Sequence, residues 1–408
     1  MAESTPIPEI EVADVWRLLD ERVLALGPER LPLAQAVGRY LAEEIKNDAN
    51  QPPFDRSAMD GYAFIPASGP ATFHIVGTVK AGEVAVRTLQ PGDALRIFTG
   101  AALPIPGMAV LMQEEARVED EWLHVNRRVE PGENVRAQGS DARQGEVLLA
   151  AKSFLGPVEL ALLASVGAVQ PLVGPAPRVA HATTGDEIVS PAVTPGPGQI
   201  RNSNQVLIRA LLEGLMPATN IQQEHWGDDP VGAAARLAAE PFASADVVLI
   251  SGGASVGDHD YAARILERAG YELPIRKINS RPGRPLIVGF RGKQIAFGLP
   301  GNPVSHFVCY HLFVHHALRL LRGLKRTNSQ PLALLEPLRD CANRRPTYWP
   351  AKLELDAATR LPAVRPLQWN NSGHLAGLVG AQALFCVPAN TKELPAGSRV
   401  DTLFIYRG

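Results

Sequence analysis

The stretch VVLISGGASVGDHDY, Val247 to Tyr261, decides the fold. Four apolar residues in a row, Val247 to Ile250, run without alternation, the pattern of a strand covered on both faces as in a parallel sheet. Ser251, Gly252 and Gly253 follow at its carboxyl end, where open α/β sheets bind ligands and where glycine lets backbone approach a phosphate. Asp258 and Asp260 come next, spaced to hold a metal ion beside that phosphate. From this stretch alone, a phosphate turn and a tight turn with solvated acids stand level.

Working outward, strand and helix signals alternate on both sides of it. VAHATTGDEIV reads as a strand into a loop, NSNQVLIRALLEGL as a capped helix, and ATNIQQEHWG as a strand. DDPVGAAARLAAE opens a helix with Asp228 or Asp229 as its cap and Pro230 in its first turn. Beyond Tyr261 come the helix YAARILERAG, a strand pair around IRKIN and PLIVGF, and QIAFGLPGNP leading into the long helix VSHFVCYHLFVHHALRLLRG. This order predicts a doubly wound α/β domain over residues 177–326. Residues 327–408 are rich in strand signals and predict a C-terminal β domain. Short Gly- and Pro-punctuated runs predict a small β domain over 51–147, with VEDE at Val118 to Glu121 as a hairpin turn.

Residues 1–50 with 148–176 are expected to form a helical and linker domain. Val12, Val15, Trp16, Leu19, Val23 and Leu26 share one helical face. A second helix is expected from about Leu33 to Ile45, and VELALLASV, ending at Gly167, is expected to pack on both.

A chain of 408 residues exceeds one hydrophobic core and is multidomain. Forty Lys and Arg against 42 Asp and Glu give no electrostatic case for nucleic acid or a membrane surface. MAESTPIPEI lacks the charge and apolar run of a signal peptide, and no spanning segment follows, so the expectation is a cytoplasmic protein. Cys309, Cys341 and Cys386 are far apart with no CxxC, which argues for buried thiols over disulfides or a zinc site.

Three loops are expected to meet at one sheet edge: Thr183 to Glu187 (TTGDE), Ser251 to Asp258, and Gly298 to Ser305 (GLPGNPVS). The third opens a helix whose first amides, near Asn302 to Ser305, suit an anion, although Gly301-Asn302-Pro303 alone is also ordinary helix-start punctuation. Glu187, Asp228, Asp258 and Asp260 cluster near the same edge and offer hard oxygen ligands for magnesium. Arg276, Lys277, Arg281 and Arg284 gather around a Pro-Gly turn, either as an oxyanion site or as a solvated surface. His181, His311, His315 and His316 lie in apolar surroundings and read as core. A GxSxG elbow, a Walker loop and HExxH are absent from the sequence.

At these residues the chain resembles the molybdopterin molybdenumtransferase family (MoeA- and gephyrin E-domain-like). PPFDRSAMDGYAF (Pro52 to Phe64) matches the family signature, and RIFTGAALP, PGENVRAQGSDARQGEVLL, PRVAHATTGDEIV, SGGASVGDHDY and GLPGNPVS follow in family order. The resemblance implies a four-domain homodimer with its cleft between the α/β domain of one subunit and the signature loop and β domain of the other. The implied reaction is magnesium-dependent: adenylylated molybdopterin and molybdate give molybdenum cofactor, AMP and water. By position, Asp60, Thr99 and Asp141 act across the dimer, while Glu187, Asp228 and Asp260 serve Mg2+ and pyrophosphate. Lys277, Arg281, Ser305 and Ser372, with Arg284, hold molybdate or the terminal phosphate. Ser203, Asn204, Gly252, Gly253, Ser255, Gly301 and Asn302 bind the pterin nucleotide, and other cofactor-biosynthesis proteins are candidate partners.

The chain departs from the family pattern at Arg281 and Arg284, where lysines are usual, at Asn202, where an acid is typical, and at Pro350, where an arginine is expected, with Arg344 or Arg345 as substitutes. Two alternatives to an enzyme therefore stand: a molybdopterin-nucleotide binding and delivery protein of the same fold, or a dimeric scaffold.

Overall fold

The computed structural model describes residues 8–83, 89–252 and 261–405. The chain divides into two compact units, residues 30–173 and residues 1–29 together with 174–408.

The unit 30–173 is built on a six-stranded sheet in which Gly61–Phe64 lies between Asp93–Ile97 and Ala109–Met112. The strand Gly61–Phe64 grows directly out of the SAMDGYA loop. Ala63 and Phe64 are buried on opposite sides of the sheet, in two separate apolar clusters. Gly61 is required there, because a Cβ would fall 2.0 Å from the Leu111 carbonyl oxygen. Arg117–Glu119 and Trp122–Val125 pair as the expected hairpin, with Asp120 in the turn at φ 50°.

The expected second helix is reduced to Leu33–Ala36. Gly38, at φ 73°, breaks it, and the chain then runs extended: Tyr40 and Leu41 bridge Phe154 and Val173, and Ile45–Lys46 pairs with Val147–Leu149. Helix Pro157–Ser165 packs through Leu163 against Ala36, Leu41 and Val173. The first N-terminal helix is not part of that cluster. Helix α1 (Val12–Arg22) ends four residues earlier than the apolar spacing suggested, and it buries Val12, Val15 and Leu19 in the core of the other unit. Trp16 Nε1 donates to the Leu312 carbonyl at 2.8 Å, fixing it there.

The second unit carries a six-stranded sheet: β1 (Val179–Thr184), β2 (Ile221–Trp226), β3 (Val247–Ser251), β4 (Glu272–Ile275), β5 (Ile287–Arg291) and β6 (Gln294–Leu299). The spatial order is β2-β1-β3-β6-β5-β4; the first four are parallel, and β5 and β4 complete one edge antiparallel. Along β3, Val247 and Leu249 enter one apolar cluster while Val248 and Ile250 enter the other. Helices cover both faces, which is why the strand needs no polar alternation. Helix α2 (Ser203–Glu213) lies on the first face, and α3 (Pro230–Leu237) and α4 (Tyr261–Arg268) on the second. The long last helix starts as α5 (Pro303–Cys309), passes a π-turn at Tyr310–Val314 and continues as α6 (His315–Leu321).

Residues Gln330–Leu334, Thr347–Leu355, Pro362–Pro366, Ala383–Val387 and Arg399–Phe404 close into a five-stranded barrel around Ala351, Val364, Phe385 and Val400. Backbone bonds tie this barrel to the α/β domain beside the basic turn. Arg281 N donates to the Pro346 carbonyl, Tyr348 N to the Arg281 carbonyl, and Val304 N to the Ser372 carbonyl. Among the described residues no helix is long and apolar enough to cross a membrane. The histidines read as core are buried, and the three cysteines are free thiols, two of them buried.

Candidate functional site

Two hollows open side by side at the carboxyl edge of the sheet, and Gly301 and Asn302 line both. The first, of about 360 Å³, is lined by Thr183, Thr184, Glu187, Asn202, Asn204, Ser251 and Gly252. Two of the three predicted loops meet here with the start of the third. Gly253, Ser255, Asp258 and Asp260 lie outside the described residues.

Backbone geometry explains the glycines. Gly252 sits at φ 96°, and a Cβ there would lie 2.7 Å from the Thr184 carbonyl oxygen. Gly301 differs: among the described residues an added Cβ would meet only the Gly252 Cα, at 3.8 Å, which leaves room for a side chain. Asn204 spans the hollow's mouth, its Nδ2 donating to the Gly301 carbonyl at 2.7 Å. Ser203, beside it in the first turn of α2, is exposed and does not line the hollow.

The departure at Asn202 has a physical cause. Its Oδ1 caps α2 by accepting from Gln205 N at 3.1 Å, while its Nδ2 donates to Thr183 Oγ1 at 2.8 Å and Gln205 Oε1 at 2.9 Å. The side chain is buried, and an aspartate would keep the cap but place a carboxylate oxygen where the amide now donates to Thr183 Oγ1 and Gln205 Oε1.

Glu187 is exposed and lines the first hollow. Asp229, not Asp228, caps α3 by accepting from Val231 N, which leaves the exposed Asp228 carboxylate outside that cap. Both offer hard oxygen donors of the kind Mg2+ takes, although among the described residues no group of three His, Cys, Asp or Glu comes together as a metal cluster.

The second hollow, of about 410 Å³, is basic. Arg281, Arg284 and Arg345 line it with Ser305, Trp369, Asn371 and Ser372. The Pro-Gly turn is sterically fixed, because Gly283 is at φ 103° and a Cβ there would press on Cys309 Sγ. The Arg281 guanidinium lies 5.2 Å from the Trp369 ring centroid, a cation–π contact that orients it. Arg345 Nη1 donates to the Ser280 carbonyl at 2.8 Å, so of the two proposed substitutes it is Arg345 that reaches the hollow, while Pro350 stays buried in its barrel strand. Burial first, and then the charges of Arg284 and Arg281, lower the Arg345 pKa, opposed in part by the carboxylate of Glu9.

One carboxylate enters this cluster, from a residue that the sequence did not single out. Residues 8–11 run beside 277–279, with Ile10 N donating to the Lys277 carbonyl and Asn279 N to the Ile10 carbonyl. That places Glu9 Oε1 2.8 Å from Arg284 Nε and 3.7 Å from Lys277 Nζ. Burial raises the Glu9 pKa, but the Arg284 hydrogen bond and the charges of Arg284, Lys277 and Arg345 outweigh it and hold the carboxyl below its usual range. Lys277 itself is largely buried against Glu9 and does not line the hollow.

Ser305 is buried in the first turn of α5, and Asn302 Nδ2 donates to Ser372 Oγ at 3.1 Å. The amides expected to be free at this helix start are not all free, since that of Val304 is taken by the Ser372 carbonyl.

In the unit 30–173, Asp60 accepts from Thr99 N at 2.8 Å and Thr99 Oγ1 at 2.7 Å, and these bonds lower its pKa. Asp141 is paired with Arg136, whose hydrogen bond lowers its pKa, and its backbone N donates to the Gln51 carbonyl. Both carboxylates are therefore anions at neutral pH.

Comparison with known proteins agrees with this geometry. Residues 10–167 match the MoeA N-terminal region (domain I and II), residues 180–320 a probable molybdopterin binding domain, and residues 339–405 the MoeA C-terminal region (domain IV). A molybdopterin molybdenumtransferase from Nostoc is 37% identical over 336 residues, 79% of this chain and 76% of its own. One from Staphylococcus aureus is 29% identical over 407 residues, 98% of this chain and 95% of its own. Two solved structures of the molybdopterin biosynthesis MoeA protein from Pyrococcus horikoshii superpose with TM-scores of 0.80 and 0.78. Their identities are 27% and 26%; they cover 97% and 98% of this chain and 99% and 100% of their own. The sheet order, the paired hollows and the close relatives lead to one family: this chain belongs to the MoeA-type molybdopterin molybdenumtransferases.

Proposed function

We propose that this protein inserts molybdenum into molybdopterin, taking adenylylated molybdopterin and molybdate and releasing molybdenum cofactor, AMP and water. The carrying observation is that a hollow of hydroxyls, amides and glycine adjoins a hollow of three guanidiniums across Gly301 and Asn302. The first suits the nucleotide's phosphates and the second a tetrahedral oxyanion.

In this proposal Ser203, Asn204, Gly252, Gly253, Ser255, Gly301 and Asn302 bind the pterin nucleotide. Arg281, Arg284, Ser305 and Ser372 bind molybdate, joined by Arg345, with Lys277 adding charge from behind Glu9. Cations fixed before the reaction stabilise charge on the oxyanions without reorganising, so their benefit appears in turnover as well as in binding. Glu187, Asp228 and Asp260 would hold Mg2+, and the exposed carboxylates of the first two suit an ion that keeps several waters and takes few carboxylates. Held there, Mg2+ would supply Lewis acidity to the substrate's phosphate. Asp60, Thr99 and Asp141 act from the second subunit of a homodimer, the Asp60 carboxylate kept ionised and oriented by Thr99. The protein works in the cytoplasm, receiving a pterin nucleotide from other cofactor-biosynthesis proteins.

The test is to mix purified protein with adenylylated molybdopterin, Mg2+ and molybdate and to measure AMP release. Molybdate-dependent AMP is the expected result. Tight nucleotide binding without it leaves the delivery protein as the function.

A further inference from the structure

A chain of buried polar groups runs beneath the first hollow. Gln223 Nε2 lies 2.8 Å from His181 Nδ1, and His181 Nε2 lies 2.6 Å from Ser251 Oγ. Ser251 Oγ is 3.4 Å from His306 Nε2, and His306 Nδ1 is 3.1 Å from the Pro300 carbonyl oxygen. Ser251 lines the hollow, and Pro300 precedes the Gly301-Asn302 wall.

The partners fix where each proton sits. The Pro300 carbonyl can only accept, so His306 carries its proton on Nδ1 and leaves Nε2 bare in the neutral ring. Gln223 Nε2 also donates to the Gln205 carbonyl at 2.9 Å, and a flipped amide would set oxygen against oxygen there. His181 Nδ1 is therefore an acceptor, and the proton of the neutral ring lies on Nε2, aimed at Ser251. Both rings are completely buried, and burial holds His181 well below the ordinary histidine range and His306 at about 4, so both are neutral at pH 7.

The spacing of His181 and Ser251 is that of a nucleophile and its base, but the polarity is reversed. His181 donates to Ser251 and has no vacant nitrogen on that side to take its proton. Ser251 must donate its own hydrogen elsewhere. Among the described residues its acceptor is His306 Nε2, at a long 3.4 Å, and a ligand oxygen at about 2.7 Å is the better acceptor.

We propose that Ser251 is a hydrogen-bond donor to an anionic phosphate oxygen in the first hollow, and that His181 and Gln223 are positioning residues that aim it. This rests on the phosphate-binding reading of that hollow. It assigns Ser251 to binding, not to covalent catalysis, and gives the two buried histidines distinct, fixed tautomers.

Neutron diffraction from perdeuterated crystals reads the protons directly. A deuteron on His181 Nε2 and on His306 Nδ1 is expected; one on His181 Nδ1 overturns the proposal whatever the enzyme does. Calorimetry with inorganic pyrophosphate then tests the donor. Ser251→Ala is expected to weaken binding about tenfold. Gln223→Met removes the donor that holds Nδ1 as an acceptor without setting oxygen against the Gln205 carbonyl, so the ring proton is no longer kept on Nε2. It is expected to weaken pyrophosphate binding by no more than Ser251→Ala does, with no further loss in the double variant, whereas independent structural defects would add. Additive losses, or Ser251→Ala binding as tightly as the parent, overturn the donor role. A parent that does not bind pyrophosphate overturns the phosphate reading of the hollow and the donor with it, while the neutron map still decides the tautomers.

Discussion

The two hollows share a wall and differ in how they hold charge. On the Thr183 side most polar groups answer one another: Asn202, Gln205, Thr183, Gln223, His181 and Ser251 form one hydrogen-bonded layer, and beside it Thr184 Oγ1 and Asn204 Oδ1 are buried without a partner among the described residues. On the Arg281 side the charges do not cancel. Three guanidiniums face the space, and among the described residues the carboxylate of Glu9 enters the cluster and engages Arg284. A satisfied network is rigid and selects a ligand by shape and hydrogen-bond direction. A like-charge cluster that one carboxylate only partly offsets favours an incoming anion, and in the proposed reaction it would select by charge.

The contrast is sharpest in Arg281→Ala, which should lower molybdate-dependent AMP release about a hundredfold while pyrophosphate binding in the first hollow stays within about twofold. Equal loss of both would show that the hollows do not divide the work. Gly252→Ala attacks the other side. Its left-handed backbone and the nearby Thr184 carbonyl predict a loss of about 3 kcal/mol, measured by chemical denaturation, together with pyrophosphate binding. A variant of parental stability would mean that the turn is not held as described. Asn202→Asp should cost about 1 kcal/mol, because the cap survives while a buried carboxylate oxygen replaces the amide that donates to Thr183 Oγ1 and Gln205 Oε1. A gain in stability would refute that role for the amide.

The smallest effect concerns Glu9. Glu9→Gln releases Arg284, and tungstate, used as a tetrahedral probe, should bind roughly threefold more tightly by calorimetry. The pH dependence has a definite sign. A carboxyl whose folded pKa is depressed contributes stability that is present above its ordinary value of 4.5 and is lost as pH falls through the folded value. Parent and variant should therefore differ in unfolding midpoint near neutrality and converge in acid. A gap that widens as pH falls would contradict the ion pair.

Much of the α/β domain was legible from sequence because its strands are covered on both faces, and a run such as Val247 to Ile250 has no other economical explanation. The loops at Thr183 and Gly301 were legible for the same reason, since each begins where a buried strand must stop. The docking of α1 was not: apolar spacing shows that a helix has a face to bury but not which partner will bury it. Gly38 cut short the second helix through a single left-handed residue that the surrounding periodicity hid. Glu9 and Arg284 are 275 residues apart, and nothing local marks either as the other's partner. His181 reads as an ordinary core histidine, which by burial it is. Its orientation depends on Gln223, a polar residue in the next strand whose own bond to Gln205 appears only in three dimensions. At Asn202 the sequence showed a missing charge, and the structure shows the amide hydrogens that replaced it.

Among the described residues, Gly301 faces Gly252 with open space where its side chain would be. A screen that ranks positions by thermal stability would pass over it, since Gly301→Ala removes no contact and strains no backbone. The same methyl group would stand between the two hollows, where the proposed reaction would lay a substrate carrying its phosphates on one side and receiving an oxyanion on the other. Its absence is thus a property of the route through the protein rather than of the fold, and the position is one at which folding and turnover should respond to the same substitution independently.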